Sequence, residues 1–211
     1  RMMDLGFLPQ IQRILVRCRQ EHQTLLFSAT MPPEVAELCK HFLPEARKVQ
    51  VGRRSQSPIN ISHDFKEMPG HQKTPFLESV LRRERGRVLV FVKTKAGAER
   101  LGRELRDSGR LADSIHGDKT AEARYTALGQ FDRGKIRCMV ATDVAARGID
   151  VDDIELVVNY DLPHSVEDYV HRTGRTGRSG KRGRALSLVS PRERGVHQSI
   201  LKHLRSRTDT E

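Results

Sequence analysis

The 211-residue sequence contains no tryptophan, three tyrosines and three cysteines. With so few aromatic rings, a binding site built mainly from stacked aromatic side chains is not expected. The cysteines (Cys18, Cys39 and Cys138) are odd in number, widely separated and without a C-x-x-C pair. This usage argues against a disulfide scaffold or a zinc site and predicts a protein of the reducing cytoplasm. No run approaches the roughly 20 apolar residues that a membrane-spanning helix needs.

A glycine-rich phosphate-binding loop is also missing. The form G-x-x-x-x-G-K-[ST] occurs nowhere, since the Lys73-Thr74 and Lys119-Thr120 pairs lack the preceding glycines. This chain therefore does not itself carry the loop in which many nucleotide-hydrolysing enzymes hold phosphate and magnesium.

Basic residues are in excess, with a formal net charge of +11. Such a charge favours a polyanionic partner, and nucleic acid is the commonest one. The alternative is a charged surface that only keeps the protein soluble. Charge alone favours nucleic acid over this alternative.

Apolar strands and amphipathic helices alternate along most of the chain. This alternation predicts an α/β fold, a doubly wound and mostly parallel sheet with helices on both faces. Continuous apolar runs such as VLVFV at 88–92 are typical of a sheet covered on both faces. The predicted strands are 61–65, 88–92, a short one reaching His116, 136–141, 156–158 and 185–189, and the predicted helices are 71–83, 96–108, 121–133, 166–171 and 192–204.

The first part of the chain forms a separate segment. Helices are predicted at 7–19 and from Pro32-Pro33 onward, and strands at 24–27 and 48–51. The polar stretch GRRSQSP that follows has no apolar periodicity and predicts an interdomain linker. We therefore divide the chain into residues 1–51, a linker at 52–60 and a second domain at 61–211.

Two segments that follow predicted strands are candidates for chemistry, because ligands bind at the carboxyl ends of parallel strands. In the first, Thr142 could hydrogen-bond a phosphate and Asp150 a ribose hydroxyl; alternatively Asp143 caps a helix and Arg147 pairs with an acid. In the second, Gly117 allows close approach of a phosphate, whereas Thr120 could be a plain helix cap.

A basic run spans residues 171–184 and contains no acid. Runs of like charge are usually solvated tails, but this one lies between a predicted helix and a predicted core strand. Arg175 and Arg178, three residues apart, can converge on one anion, and their planar guanidinium groups suit phosphate oxygens.

Taken in order, five motifs resemble those of DEAD-box RNA helicases. They are Ser28-Ala29-Thr30, VFVKT at 90–94, HGDKT at 116–120, ATDVAARGID at 141–150 and HRTGRTGR at 171–178. Residues 1–7 resemble the segment that follows the D-E-A-D box. The 141–150 and 169–178 segments look closest to bacterial members. The resemblance implies a RecA-like second lobe at 61–211, preceded at 1–51 by the remnant of the first, ATP-binding lobe.

The resemblance also implies a role for each matched position. Ser28 and Thr30 would couple ATP hydrolysis to strand separation. Arg175 and Arg178 would reach the phosphates of ATP, and His171 would contact the first lobe. Asp150 and Gly148 would lie against the nucleotide, and Thr94, Gly117, Arg124 and Thr142 would touch RNA.

One position departs from the family pattern. Ala121 stands where family members carry glutamine, so the amide that usually accompanies Arg124 is missing. The expected cofactor is ATP with Mg²⁺, bound mainly by a first lobe in cis, and no metal ligands are expected in this chain. The expected function is that of the C-terminal portion of an ATP-dependent RNA helicase, inactive alone. A non-catalytic RNA-binding module and a DNA helicase are the alternatives.

Overall fold

The chain divides into two units. The computed structural model describes residues 8–18, 22–28, 33–43, 45–49, 60–146, 151, 154–178 and 180–208. It divides the chain into two compact units, Arg1–Gln56 and Ser57–Glu211. The described residues of the first unit form two helices, α1 (Leu8–Arg17) and α2 (Pro33–Phe42), at the predicted positions.

The strand predicted at 24–27 is not formed, and residues 48–49 are not in a strand either. Residues 50–51 and 52–59, the end of that predicted strand and almost all of the predicted linker, lie outside the described residues. A strand is stabilised by hydrogen bonds to a neighbouring strand, and the described part of this unit contains none. An apolar run alone was therefore not enough to form one.

The second unit contains six strands and six further α-helices among its described residues. The strands are β1 (Ile61–Glu67), β2 (Arg87–Phe91), β3 (Ala112–Ile115), β4 (Cys138–Ala141), β5 (Ile154–Asn159) and β6 (Gly183–Val189). The helices are α3 (Lys73–Arg83), α4 (Lys95–Asp107), α5 (Ala121–Asp132), α6 (Asp143–Ala146), α7 (Val166–Thr173) and α8 (Arg194–Thr208). The one-turn helix α6 begins at Asp143, where the sequence had left a helix start open only as an alternative, since four residues carry no periodic signal.

All six strands are parallel and lie in the order β1-β6-β5-β2-β4-β3. The predicted doubly wound α/β fold is thereby confirmed. Since every strand runs the same way, all carboxyl ends lie at one edge of the sheet, here called the carboxyl edge. All amino ends lie at the opposite, amino edge.

Apolar side chains cover both faces of the sheet. On one face Leu77 of α3 and Leu101 of α4 pack with Val88 and Val90. On the other, Phe131 of α5 packs with Leu89. Tyr169 and Ile200 join α7 and α8 to the same side of the sheet at its β1–β6 end. Burial on both faces explains why β2 and β4 are continuous apolar runs.

Candidate nucleic-acid interface and arginine turn

Three neighbouring strands bring three of the predicted RNA contacts together. At the ends of β2, β4 and β3, Phe91 and Ile115 both pair with Ala141. The backbone N–H of Thr142 continues the ladder by donating to Ile115 O at 3.3 Å. The loops that carry Thr94, Gly117 and Thr142 therefore lie side by side at the carboxyl edge.

Thr94 is exposed, and its hydroxyl is occupied by the fold. Its Oγ1 accepts a hydrogen bond from Gly97 N at 3.0 Å, so Thr94 is the N-cap of α4. The preceding Lys93 N donates to Asp161 Oδ2 at 2.9 Å. The last two residues of this loop are thus held by hydrogen bonds before α4 begins.

Asp161 lies beside a hydrogen-bonded cluster at the carboxyl edge. The buried Lys73 donates to Tyr160 O at 2.6 Å and to Glu193 Oε2 at 3.0 Å. Burial opposes ionisation of Glu193, but hydrogen bonds from Ser190, Leu162 and Lys73 lower its pKa. Beside this cluster lies a cleft of about 740 Å³, which contains none of the predicted site residues.

Gly117 is exposed in the loop after β3. A Cβ at this position would lie 3.2 Å from Lys95 Cε, and Lys95 Nζ is bound to Asp118 Oδ1 at 2.6 Å. The loop therefore presents backbone and a lysine side chain together. Thr120 accepts from Ala123 N at 3.2 Å, so the capping alternative for this threonine is confirmed.

Glu99 of α4 contacts two residues that precede this loop. Its role was not predicted from the sequence. Its Oε2 accepts from Ser114 Oγ at 2.6 Å and lies 3.1 Å from His116 Nε2. These hydrogen bonds, from Ser114 and then His116, hold the pKa of Glu99 at about 2. The carboxylate is thus charged near neutral pH. Its hydrogen bond holds the ring of His116, the residue before Gly117, in place.

Arg124 and Thr142 are the least exposed of the predicted RNA contacts. Arg124 is half-buried in the second turn of α5, and its Nε is buried without a hydrogen-bond partner among the described residues. Thr142 is 7% exposed. Its carbonyl accepts from Ala146 N at 2.9 Å as α6 begins.

Asp143 does more than begin α6. Its carboxylate accepts two hydrogen bonds from Arg172, at 2.6 Å from Nε and 2.7 Å from Nη2. Arg172 is 3% exposed; it also donates to Asp161 O at 2.7 Å and lies 5.0 Å from the Phe91 ring centre. Sequence reasoning had treated Arg172 only as one cation of the basic run, yet it ties α7 to the loop after β4.

The basic run after α7 is a packed turn, here called the arginine turn (residues 174–178). The Thr176 hydroxyl is buried and donates to Ile154 O. Gly177 has a φ of 67°, and a Cβ there would lie 2.9 Å from Ile61 Cγ1. These contacts rule out a solvated tail over residues 174–178.

Both predicted arginine fingers lie on this turn. Arg175 and Arg178 are half-buried, and Arg178 Nε donates to Gly174 O at 3.3 Å. His171 is half-buried in the last turn of α7. The turn thus carries both partly exposed arginines on one short segment.

The arginine turn lies at the amino edge, away from the three loops described above. It follows a helix and contacts Ile154, the first residue of β5. The expectation that chemistry would follow the strand ends therefore holds for the predicted RNA contacts but not for the predicted arginine fingers. Helices that connect parallel strands run back across the sheet, so a motif at a helix end is placed at the opposite edge.

Some predicted residues have no described position. Thr30, Gly148 and Asp150 lie outside the described residues, as does Arg147. Ser28 is described and exposed, but it belongs to the first unit. Among the residues that the structure does describe, no group of three or more histidine, cysteine or acidic side chains could hold a metal ion.

Comparison with known proteins assigns the chain to a family. The family described as the helicase conserved C-terminal domain matches residues 72–180. A crystal structure of the Escherichia coli DEAD-box protein SrmB, bound to the regulator of ribonuclease activity A, is 32% identical with a TM-score of 0.61. The match covers 67% of this chain and 84% of that one. The chain belongs to the DEAD-box helicases.

Other DEAD-box proteins match nearly the whole chain. DEAD-box ATP-dependent RNA helicase 30 of Arabidopsis thaliana is 41% identical over 90% of this chain and 33% of its own length. The Saccharomyces cerevisiae protein Dbp5, solved bound to RNA and ADP BeF3, is 29% identical with a TM-score of 0.82, covering 95% of this chain and 54% of that one. The RecA-like fold is thus confirmed.

The chain spans about a third of the length of the Arabidopsis relative. Curated relatives at this level of identity come from plants, a trypanosome, mammals and yeast, so the expected likeness to bacterial members is not supported.

In the described part of the DEAD-box chain, every helix is too short or too polar to cross a membrane.

Proposed function

We propose that this chain is the part of an ATP-dependent RNA helicase that grips the RNA backbone and supplies arginines to ATP. The observation that carries the proposal is the Arg172–Asp143 pair. It joins α7, which leads into the arginine turn, to the loop that contains Thr142. A shift at the nucleotide would thereby move a residue at the RNA edge.

The arginine turn is the nucleotide-facing element of this proposal. Its half-buried Arg175 and Arg178 would bind phosphate oxygens, while Asp150 and Gly148 would lie against the rest of the nucleotide. ATP with Mg²⁺ supplies the phosphoryl group, and an arginine placed on it is worth roughly 10³ to 10⁵ in rate in related chemistry. The guanidinium groups stabilise charge and take no proton.

RNA would lie on the carboxyl edge. Thr94, Gly117 and Thr142 would meet its sugar-phosphate backbone there, with Arg124 beside them. Because Thr94 caps α4 and Thr142 is 7% exposed, the contacts with RNA would be made largely by the protein main chain around these residues. Recognition of the sugar-phosphate backbone of RNA makes binding largely independent of base sequence.

The rest of the ATP site would come from a first lobe in cis. We assign residues 1–51 to the end of that lobe, 52–60 to the linker and 61–211 to the second lobe, with Ser28 and Thr30 coupling hydrolysis to strand separation and His171 contacting the first lobe. The chain contains no phosphate-binding loop of its own, so hydrolysis would require both lobes. Its free cysteines support our assignment to the cytoplasm.

RNA-stimulated ATPase activity of the protein that contains both lobes tests the proposal. Arg178→Ala should abolish stimulated turnover, because the charge that develops on the phosphate loses its partner. Arg182→Ala, an exposed arginine of the same basic run, is the matched control and should keep it.

Turnover that persists in the Arg178→Ala protein would refute the role of the arginine turn. RNA binding without any ATPase activity in the unmodified two-lobe protein would favour the non-catalytic RNA-binding module instead.

A further inference from the structure

The ends of three helices meet at the amino edge. Because α3, α4 and α5 each run back across the sheet, they end beside the starts of β2, β3 and β4. These strands are neighbours in the order β2-β4-β3. Adjacent strands lie about 4.8 Å apart, so the three connecting loops share one surface.

Hydrogen bonds hold these loops together. Arg137 Nη2 donates to Glu84 O at 2.6 Å, which ties the loop after α5 to the loop after α3. Arg137 N donates to Leu111 O at 2.7 Å and so adds the loop after α4. Arg87 Nη1 donates to Asp132 O at 2.5 Å. The three loops are therefore held in fixed positions relative to one another.

Cations dominate this surface. Its exposed members, here called the amino-edge patch, are Arg82, Arg83, Arg85, Arg133 and Lys135. Half-buried beneath them are Arg87, Arg110 and Arg137. Among the described residues, the acids on these loops or beside them are Glu84, Asp107, Asp132 and Glu155. Two of these are already paired, Glu84 with Arg184 and Asp132 with Arg87, so the patch keeps a positive excess.

Helix stability explains only part of this charge. Basic side chains in a last turn favour the helix dipole, and Arg82 and Arg83 occupy that place in α3. Arg85 and Lys135, however, lie beyond the ends of their helices. The last turn of α5 contains no basic residue, whereas the loop after it does.

We propose that the amino-edge patch is a second RNA-binding surface, which takes the phosphate backbone of duplex RNA flanking the strand held at the carboxyl edge. Four of its five cations are arginines, whose forks bind phosphate oxygens in pairs. Leu111, at 57% exposure, is the large apolar side chain on these loops. Protein interfaces depend on buried apolar and aromatic anchors, so an acidic protein fits this surface less well than RNA.

The two surfaces require different lengths of RNA. β2 has five residues, which at about 3.3 Å each separates the edges by roughly 17 Å. A short single strand at the carboxyl edge does not reach the patch. An RNA hairpin with a single-stranded tail reaches both surfaces when its duplex passes beside α4 or α5.

Fluorescence anisotropy with this chain and two RNAs tests the proposal, which rests on the proposed function for RNA as the ligand. One RNA is a short single strand and the other a tailed hairpin of about 16 base pairs, long enough to present two successive minor grooves. The variants are Arg82→Gln/Arg83→Gln/Arg85→Gln and, independently, Arg133→Gln/Lys135→Gln. The matched control, Arg194→Gln/Lys202→Gln/Arg205→Gln, removes three charges from exposed positions of α8, as many as the first variant and one more than the second.

Each patch variant should weaken hairpin binding by about tenfold or more and flatten its salt dependence, since phosphate contacts are lost. Binding of the short strand should stay within a factor of two or so of the unmodified chain, as should binding of both RNAs by the α8 control. Equal hairpin affinities for the patch variants and the control would overturn the patch while leaving the proposed function intact. Failure of the unmodified chain to bind either RNA at low salt would overturn both.

Discussion

Arg172 is the residue on which the two candidate surfaces depend. Its guanidinium group is buried, bonded to both carboxylate oxygens of Asp143 and stacked near Phe91. A buried guanidinium is costly without its partner, so the pair constrains the fold as well as linking the surfaces. Stability therefore reports on this contact.

Asp143→Asn should lower the free energy of unfolding by about 3 kcal/mol, because it leaves the charge of Arg172 uncompensated in the interior. Asp118→Asn breaks the exposed pair with Lys95 and should cost at most about 1 kcal/mol. Urea denaturation measures both. Similar losses in the two variants would contradict the importance of the buried pair.

Glu99 gives a second prediction at this scale. Its pKa falls from an ordinary 4.5 to about 2 in the folded state. The folded state therefore binds the proton less well than the unfolded state, and Glu99 contributes stability above about pH 4.5 that is lost as the pH falls towards 2.

The urea midpoint of Glu99→Gln should accordingly fall less steeply with acid than that of the unmodified chain in this window. Glu122→Gln, at an exposed position of α5, is the control for removing a carboxylate. If the urea midpoints of the Glu99→Gln chain and the unmodified chain fall equally steeply from neutral pH to pH 2, the lowered pKa of Glu99 is contradicted.

Among the secondary-structure elements, the arginine turn and the two residues after it contain two glycines with left-handed backbone. Gly177 and Gly180 have φ of 67° and 77°. Only at Gly177 would a Cβ also meet a neighbour, Ile61 Cγ1 at 2.9 Å; nothing lies within 4 Å at Gly180. Substituting each glycine in turn therefore distinguishes the cost of backbone strain, which both share, from the cost of the close contact at Gly177.

Gly180→Ala should cost about 1 kcal/mol from the left-handed backbone alone. Gly177→Ala should cost more, because the side chain of Ile61 in β1 must also move away from the added methyl group. In the two-lobe protein it should also reduce RNA-stimulated turnover by displacing Arg175 and Arg178. Equal losses of stability would show that the contact with β1 does not hold the turn.

For the whole molecule, the distribution of charge predicts how the chain binds nucleic acid. With a net charge of +11 and the proposed contacts to phosphates, affinity for RNA should fall steeply with salt, by a slope of roughly 0.7 per phosphate contact on single strands. An RNA oligonucleotide should bind more tightly than DNA of the same sequence, because backbone recognition includes the 2′-hydroxyl. Equal affinity in a competition assay would favour a DNA helicase.

How far prediction from sequence succeeded differs from element to element. β2 and β4 were predicted because runs such as VLVFV have few alternatives to a doubly covered strand. The strand at 24–27 was not formed, since a strand requires a neighbour that no local pattern reveals. Thr94, Gly117 and Thr142 were correctly expected at one edge, because parallel strands end together. Glu99 and Arg172 were missed, because their partners lie 17 and 29 residues away.

The order of residues alone determined the α/β alternation, the parallel sheet, the motifs of the family and the absence of a phosphate-binding loop, since these depend on local periodicity and residue type. Tertiary structure decided that the arginine turn and the loops with the predicted RNA contacts occupy opposite edges, that Arg172 joins them, and that Arg85 and Lys135 share one surface. Such relations arise only when helices cross the sheet and bring distant side chains within hydrogen-bonding or electrostatic range.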